Sequence, residues 1–295
     1  MKNIKIQLRV YIQLINKVFD LFFWIGIVCV LWFVTQVFLI ASFKIPSNSM
    51  EPELTTGDNI LVWKPIIGPR IFNIFASLQN KQTVIQRISG IRKVQRNDIL
   101  VFNYPFPNSW SKVEMHIFKY YIKRCIGIPG DTLSIQNGFF QLGGIHAALG
   151  NIDSQKEIAS TEKFPKDILW CFPFDSIMGW NIKNFGPLYI PGAGDSLVMN
   201  RTNFRIYKKL IEWEQKKKLK CKDSIVYING IPIEGYRFQK NYYFMAGDKG
   251  LNSQDSRYWG LLPEEYIVGK AWIIWKSIDP YTGKFRWERF LKVIH

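Results

Sequence analysis

The chain has 295 residues, of which 39 are Lys or Arg and 23 are Asp or Glu, so its formal net charge is +16. With 47% apolar and 16% aromatic residues it holds enough core-forming material to exclude disorder as its main state. The length suits one or two domains, and the basic balance directs attention to nucleic acid or an anionic membrane surface without deciding between them.

The first predicted element is a membrane span. From Leu21 to Phe43 no residue is charged, and only Thr35, Gln36 and Ser42 are clearly polar. A helix of that length covers ~30 Å of hydrocarbon, and it exceeds the ~7–15 apolar residues of a cleaved signal peptide. Lys2, Lys5, Arg9 and Lys17 precede the run, while only Lys44 follows directly. The positive-inside rule then predicts residues 1–20 in the cytoplasm, 21–43 as an uncleaved anchor, and the rest outside.

Beyond the span, short apolar runs separated by turn residues predict antiparallel strands. Asn59–Trp63 follows Thr56-Gly57-Asp58, Asp98–Asn103 follows Arg96-Asn97, and Tyr121–Ile128 is closed by Pro129-Gly130-Asp131. Asp131–Gly138 and Asp223–Gly230 each look like a strand entering an Asn-Gly hairpin. Between them the composition changes. Phe140–Phe185 is loop-rich, and Asn203–Lys222 has helical spacing at Phe204, Tyr207, Leu210, Ile211 and Glu214. The fold class expected is mainly β, with one N-terminal transmembrane helix and an inserted α+β region. The β domain comprises 44–135 and 239–295, and the insertion 136–238. Cys171 and Cys221 lie on the outer side, where a disulfide can form, but spacing alone cannot pair them. No CxxC occurs and the histidines are His116, His146 and His295, so neither a metal nor a cofactor is expected.

Three segments stand out for chemistry: Ile45-Pro-Ser47-Asn-Ser49-Met50-Glu-Pro52-Glu-Leu54, Tyr121-Ile122-Lys123-Arg124 with Ile128-Pro-Gly-Asp131, and Gly247-Asp248 through Ser253-Gln-Asp255-Ser256-Arg257. Each alone has a bland explanation as a turn cap, a solvated strand residue or a surface pair. Together, in this order and internal spacing, they resemble the motifs of bacterial type I signal peptidases, also called leader peptidases. The resemblance covers the anchor and about 44–135 and 240–275, but not the insertion.

The resemblance implies a serine endopeptidase that removes signal peptides from exported precursors, with Ser49 as nucleophile and Lys123 as general base. A serine hydroxyl needs a base to take its proton, and a lysine at its ordinary pKa near 10.4 is protonated at neutral pH. Burial would free the amine. On a strand, Lys123 shares a face with Tyr121 and Cys125, which keeps the Arg124 charge on the opposite face. The resemblance further implies that Ser253 orients the lysine, that Ser47 and the Ser49 N–H form the oxyanion hole, and that Asp255 and Arg257 are a structural ion pair. Asp248 matches a motif aspartate with a supporting role. Ala-x-Ala-type cleavage sites would need shallow apolar pockets, with Ile45, Leu54 and Ile122 as candidate linings; plain core packing explains these three nearly as well.

Six residues between Phe43 and Ser49 reach only about 20 Å, which holds the nucleophile near the outer membrane surface. The partners expected are precursors bearing signal peptides and membrane lipid, at the bacterial inner membrane. Lys249, Gly250 and Glu53 depart from the residues common in the family. Two alternatives stand beside this reading: a specialised Ser/Lys peptidase with few substrates, and a catalytically silent anchored binding protein. A Ser-His-Asp site would have to use His116. The charge supports no nucleic-acid role: residues 1–18 carry +4 beside the span, residues 205–222 carry eight basic and two acidic residues, and no stacking platform is evident. The lysine-rich segment Lys208–Lys222 reads as a solvated helix or a face near anionic lipid heads.

Overall fold

The computed structural model describes residues 2–73, 84–144 and 148–295, so His146 lies outside the described residues. A helix runs from Lys2 to Val34 and widens into a π-helical turn over Thr35–Leu39. Gln13–Leu39 is long and apolar enough to cross a membrane, and no protein buries it. Ile40–Phe43, counted above in the apolar span, leave the helix. Ile40–Lys44 instead forms a strand antiparallel to Asp58–Trp63, with Ile40 opposite Trp63 and Lys44 opposite Asn59. Paired there, the strand turns Phe43 onto a core that a helix would leave empty.

The main sheet is antiparallel and curled. Its order is Ile40–Lys44, Asp58–Trp63, Ile267–Ser277, Ile99–Asn103, Tyr120–Gly127, Tyr242–Ala246 and Leu262–Pro263. Lys292–Val293 adds to the long strand Ile267–Ser277. Register shifts between Ala271 and Ile273 and between Ile274 and Lys276 bend that strand, as bulges do. Alternation along Ile99–Asn103 sends Ile99 and Val101 to a small core with Met50, Leu54, Ile60 and Val62. Leu100 and Phe102 face a larger core with Cys125, Phe244 and Trp259. Both faces are covered, so all five residues of this strand are buried.

The segment 136–238 contributes to the same large core. Thr132–Gln136 and Phe139–Leu142 form the expected hairpin, with Asn137 and Gly138 both at positive φ. Phe185–Tyr189 pairs on the other side of Thr132–Gln136. The loop-rich reading of Phe140–Phe185 missed a helix, Ile152–Ser160, whose N-terminus is capped by the Asn151 side chain. The helix expected over Asn203–Lys222 runs instead from Arg201 to Gln215. Lys216 ends it in the left-handed conformation, and Leu219–Lys222 pairs with Ile225–Ile228 across a turn in which Asp223 and Ser224 have positive φ. The helix packs Tyr207, Leu210 and Ile211 onto the large core. All four cysteines are free, including Cys171 and Cys221.

One turn recurs at four strand or bridge entries. In Thr55–Asp58, Gln95–Asp98, Ile128–Asp131 and Gly192–Asp195 the aspartate carboxylate accepts the N–H three residues back, at 2.8, 2.9, 2.9 and 2.7 Å. The residue before each aspartate is Gly57, Asn97, Gly130 or Gly194, all at positive φ, where glycine and asparagine carry the least steric cost. Asp58 also holds the C-terminal segment. It is fully buried and accepts from Arg289 at 2.9 and 2.6 Å and from the Ser277 hydroxyl at 2.7 Å. Burial alone would raise its pKa, but Arg289, the Thr55 N–H and Ser277 together hold it below the usual value.

Removing this carboxylate leaves the half-buried Arg289 charge uncompensated and the buried Ser277 hydroxyl without its acceptor. Asp58→Ala should lower the free energy of urea unfolding in detergent by about 3 kcal/mol. A loss of under about 0.5 kcal/mol would show that the carboxylate does not hold the C-terminal segment.

Candidate active site

The loop Ile45–Leu54 is fastened at both ends. Ile45 N–H donates to Asp58 O at 2.8 Å and Gly57 N–H to Ile45 O at 3.0 Å. Ile45, Met50 and Leu54 are buried in the small core. Ser49 is thus lifted over packed apolar side chains and is itself only 8% exposed. Ile45 and Leu54 lie beneath the site, while Ile122 is half-buried against the same core.

Lys123 lies on the strand Tyr120–Gly127 and is 4% exposed. Its Nζ donates to Ser49 Oγ at 2.5 Å. Burial pulls the Lys123 amine down to about 8. Asp255 and Asp248 oppose that shift, and the Arg257 charge adds to it. The Ser47 hydroxyl lies 3.5 Å from Ser49 Oγ. Ser49 and Lys123 are 74 residues apart in sequence, so only the sheet brings them together.

The third segment closes over this pair. Asp255 is fully buried and accepts from the Ser253 hydroxyl at 2.7 Å, Gly247 N–H at 2.9 Å, and Arg257 Nε and Nη2 at 2.8 and 2.7 Å. Burial would raise the Asp255 carboxyl, but the Arg257 charge and these donors hold it below its usual value. Arg257 spends another N–H on Gly250 O at 2.9 Å, so the buried guanidinium is tied to the loop as well as to its counter-ion. Ser253 therefore directs its proton at Asp255. Asp248 sits apart from that group and pairs with Arg124, at 2.7 Å to each carboxylate oxygen. Arg124 also donates to Asn97 O and His295 O.

Several residues to which the sequence reading gave no role at the site make contacts around it. Lys249 N–H donates to Ser49 O at 3.1 Å, and its Nζ pairs with Glu51 at 2.7 Å. Asn252 donates to Asn48 at 2.8 Å. Glu53 receives His295 N–H at 3.2 Å and lies 3.7 Å from Lys292. Gly247 has no side chain for a plain reason: a Cβ there would come 2.2 Å from Ser253 Oγ and 2.6 Å from Ser49 O. The one available signal was its place directly before Asp248. His116 lies on the loop between the strands Ile99–Asn103 and Tyr120–Gly127, its Nδ1 accepting the Phe118 N–H.

A covered β-sheet that presses a buried amine onto a serine hydroxyl fits the class of serine hydrolases. Comparison with known proteins agrees. Residues 18–276 match the family model described as signal peptidase, peptidase S26. Similar proteins include Signal peptidase I of Buchnera aphidicola subsp. Acyrthosiphon pisum, 30% identical over 84% of this chain and 71% of that protein. Signal peptidase I of Pseudomonas aeruginosa is 26% identical, covering 83% and 67%. Signal peptidase I of Helicobacter pylori strain 26695 is 26% identical, covering 92% and 91%. The chain belongs to the signal peptidase family, peptidase S26, and is a serine peptidase.

The contact at Gly247 generates a test. Gly247→Ala must push Ser253 and the Ser49 backbone apart, and should lower kcat on a short peptide by about a hundredfold. Thermal unfolding of the same variant separates this from loss of fold; wild-type kcat would refute the contact's importance.

Proposed function

We propose that the protein is a membrane-anchored endopeptidase that removes signal peptides from exported precursors, with Ser49 as nucleophile and Lys123 as general base. The observation that carries this reading is the contact between the buried Lys123 amine and Ser49 Oγ. With its pKa near 8, a useful fraction of the amine is neutral at neutral pH. Lys123 Nζ takes the Ser49 proton as Oγ attacks the scissile carbonyl carbon. The Ser47 hydroxyl and Ser49 N–H receive the developing oxyanion, a contribution of ~3 kcal/mol for one such donor. The resulting ammonium returns its proton to the leaving amine, which leaves the signal peptide as an ester on Ser49. Lys123 then deprotonates a water that hydrolyses the ester. Ser253, fixed by Asp255, keeps the amine aimed, while Arg257 and the Asp248–Arg124 pair hold the loop.

Membrane anchoring is supported by Gln13–Leu39, an apolar stretch long enough to cross a bilayer and with no part buried in protein. Lys2, Lys5 and Arg9 before it support an N-terminus in the cytoplasm and a peptidase domain on the outer face of the inner membrane. Trp275 Nε1 donates to Ser42 Oγ at 2.9 Å just beyond the anchor, the amphipathic arrangement that suits a membrane–water boundary. Enzyme and precursor then meet in one bilayer, which raises their effective concentration. Small side chains flanking the cut would lie against Ile122, with Ile45 and Leu54 as the floor.

Ser49→Ala and Lys123→Met should each abolish cleavage of a secretory precursor by the detergent-solubilised protein. Normal rates in both would refute the Ser/Lys assignment, whereas no cleavage by the wild type would favour a silent binding protein. Wild-type kcat/KM on a peptide should rise about tenfold per pH unit on the acid limb and level near pH 8; a flat profile from pH 6 to 9 would count against Lys123. A stability effect of the opposite sign accompanies the loss of activity. A lysine lowered from 10.5 to about 8 costs stability fully below pH 8, and the cost fades towards pH 10.5. Lys123→Met should therefore unfold at higher temperature than the wild type at pH 7, with the difference shrinking by pH 10.

A further inference from the structure

The joint between the anchor helix and the sheet is held by one side chain that the site does not use. At the π-helical turn Thr35–Leu39 the Ile40 N–H closes onto Thr35 O, and the following carbonyls have run out of helical donors. Lys64 supplies them. Its Nζ donates to Gln36 O at 2.6 Å and Val37 O at 3.0 Å, and its own N–H donates to Leu39 O at 2.9 Å. Lys64 is itself fixed, because its carbonyl accepts Ile67 N–H at 3.2 Å and Gly68 N–H at 2.9 Å.

We infer that Lys64 is a positioning residue that locks the anchor helix to the sheet and so sets the height and tilt of Ser49 over the membrane. The inference rests on the membrane-anchored Ser49 reading. The connection forms a closed ring. The chain leaves the helix, runs along Ile40–Lys44, carries Ser49 on the loop beyond, returns antiparallel along Asp58–Trp63, and ends at Lys64 on the helix terminus. Strand pairing alone would leave a hinge at Leu39–Ile40, where the backbone passes from helical to extended. Three hydrogen bonds from one residue across that hinge remove its freedom. A cation also suits the negative end of the helix dipole. Burial and the Arg70 charge pull the Lys64 amine down to about 8, so it stays mainly charged at neutral pH.

A positioning role predicts a loss that depends on where the substrate is held. Wild type, Lys64→Met and Lys64→Arg are reconstituted in phosphatidylethanolamine–phosphatidylglycerol vesicles. Each is assayed on a membrane-inserted precursor and on a short soluble peptide spanning the cleavage site. Lys64→Met should lose about tenfold in kcat/KM on the precursor and under twofold on the peptide, with Lys64→Arg restoring the precursor rate. Equal losses on both substrates, or no loss on the precursor, would overturn the inference. Ser49→Ala runs alongside: if it still cuts the peptide, the Ser49 reading fails whatever the Lys64 ratio shows. Nitroxide labels at Leu31 and Lys276 give a readout independent of activity. Their distance distribution should be narrow in the wild type and broaden in Lys64→Met, or in Lys64→Gln if the methionine variant does not fold; an unchanged width also overturns the inference.

Discussion

Burial denies water to the Lys123 ammonium and pulls its amine down to about 8, and much of the surrounding structure serves that burial. Desolvation is the leading cause of its lowered pKa, and the Arg257 charge adds to it. The two closest carboxylates work the other way. The fold limits their pull by engaging each with its own guanidinium, Asp255 with Arg257 and Asp248 with Arg124. Charges that would hold the proton on Lys123 are therefore spent on arginines. A buried ion pair is a doubtful source of stability, since desolvation offsets its attraction. Here its value is to keep two carboxylates close enough to organise a loop while limiting their pull on the Lys123 proton.

Water is excluded at Lys123 because the sheet has two covered faces. The small core under Ile45, Met50 and Leu54 carries the serine loop, and the larger core backs the strand that bears Lys123. The segment 136–238 adds Tyr207, Leu210 and Ile211 to that larger core, so it helps complete the covering of the second face. Gly247 is the point of closest approach between the loops. Its missing side chain lets Ser253 and the Ser49 carbonyl come together where any Cβ would hold them apart.

Much of this was legible in the sequence because it was written in local patterns. Gly57-Asp58, Asn97-Asp98 and Gly130-Asp131 mark turns by their own backbone chemistry, and the strands after them lie where those turns predict. Lys123 alternating with Arg124 separates the two charges onto opposite faces, and the structure sends one to Ser49 and the other to Asp248. What was not legible depends on partners far along the chain. Ile40–Phe43 read as the end of an apolar helix because nothing local shows that Ile60 to Trp63 will pair with them. Leu219–Lys222 continued a helical spacing until Ile225–Ile228 offered a strand partner. The short helix Ile152–Ser160 buries only Gln155 and Ile158, too little apolar surface to leave a period. The network of Asp58 with Arg289 joins residues 231 apart, a separation at which spacing carries no information.

The net charge of +16 takes on a different meaning once its partners are known. Arginines are drawn inward by the aspartates that close turns: Arg92 by Asp98, Arg96 by Asp131, Arg289 by Asp58. Each aspartate does two tasks, since the carboxylate that accepts a backbone N–H to lock its turn also has a free edge for a guanidinium. These cations are consumed by the fold, and they cannot form a field for a polyanion. In sequence, four further basic residues lie within 1–18 and eight within 205–222. The most consequential positive groups are the two that do not act as free surface charge, Lys123 against a serine hydroxyl and Lys64 against the carbonyls of a helix end. One sits at the site and the other at its tether, and both are pulled down by burial to about 8. Partial desolvation serves them differently: in the proposed reaction it makes Lys123 available as a proton acceptor, and at Lys64 it strengthens hydrogen bonds that water would otherwise compete for.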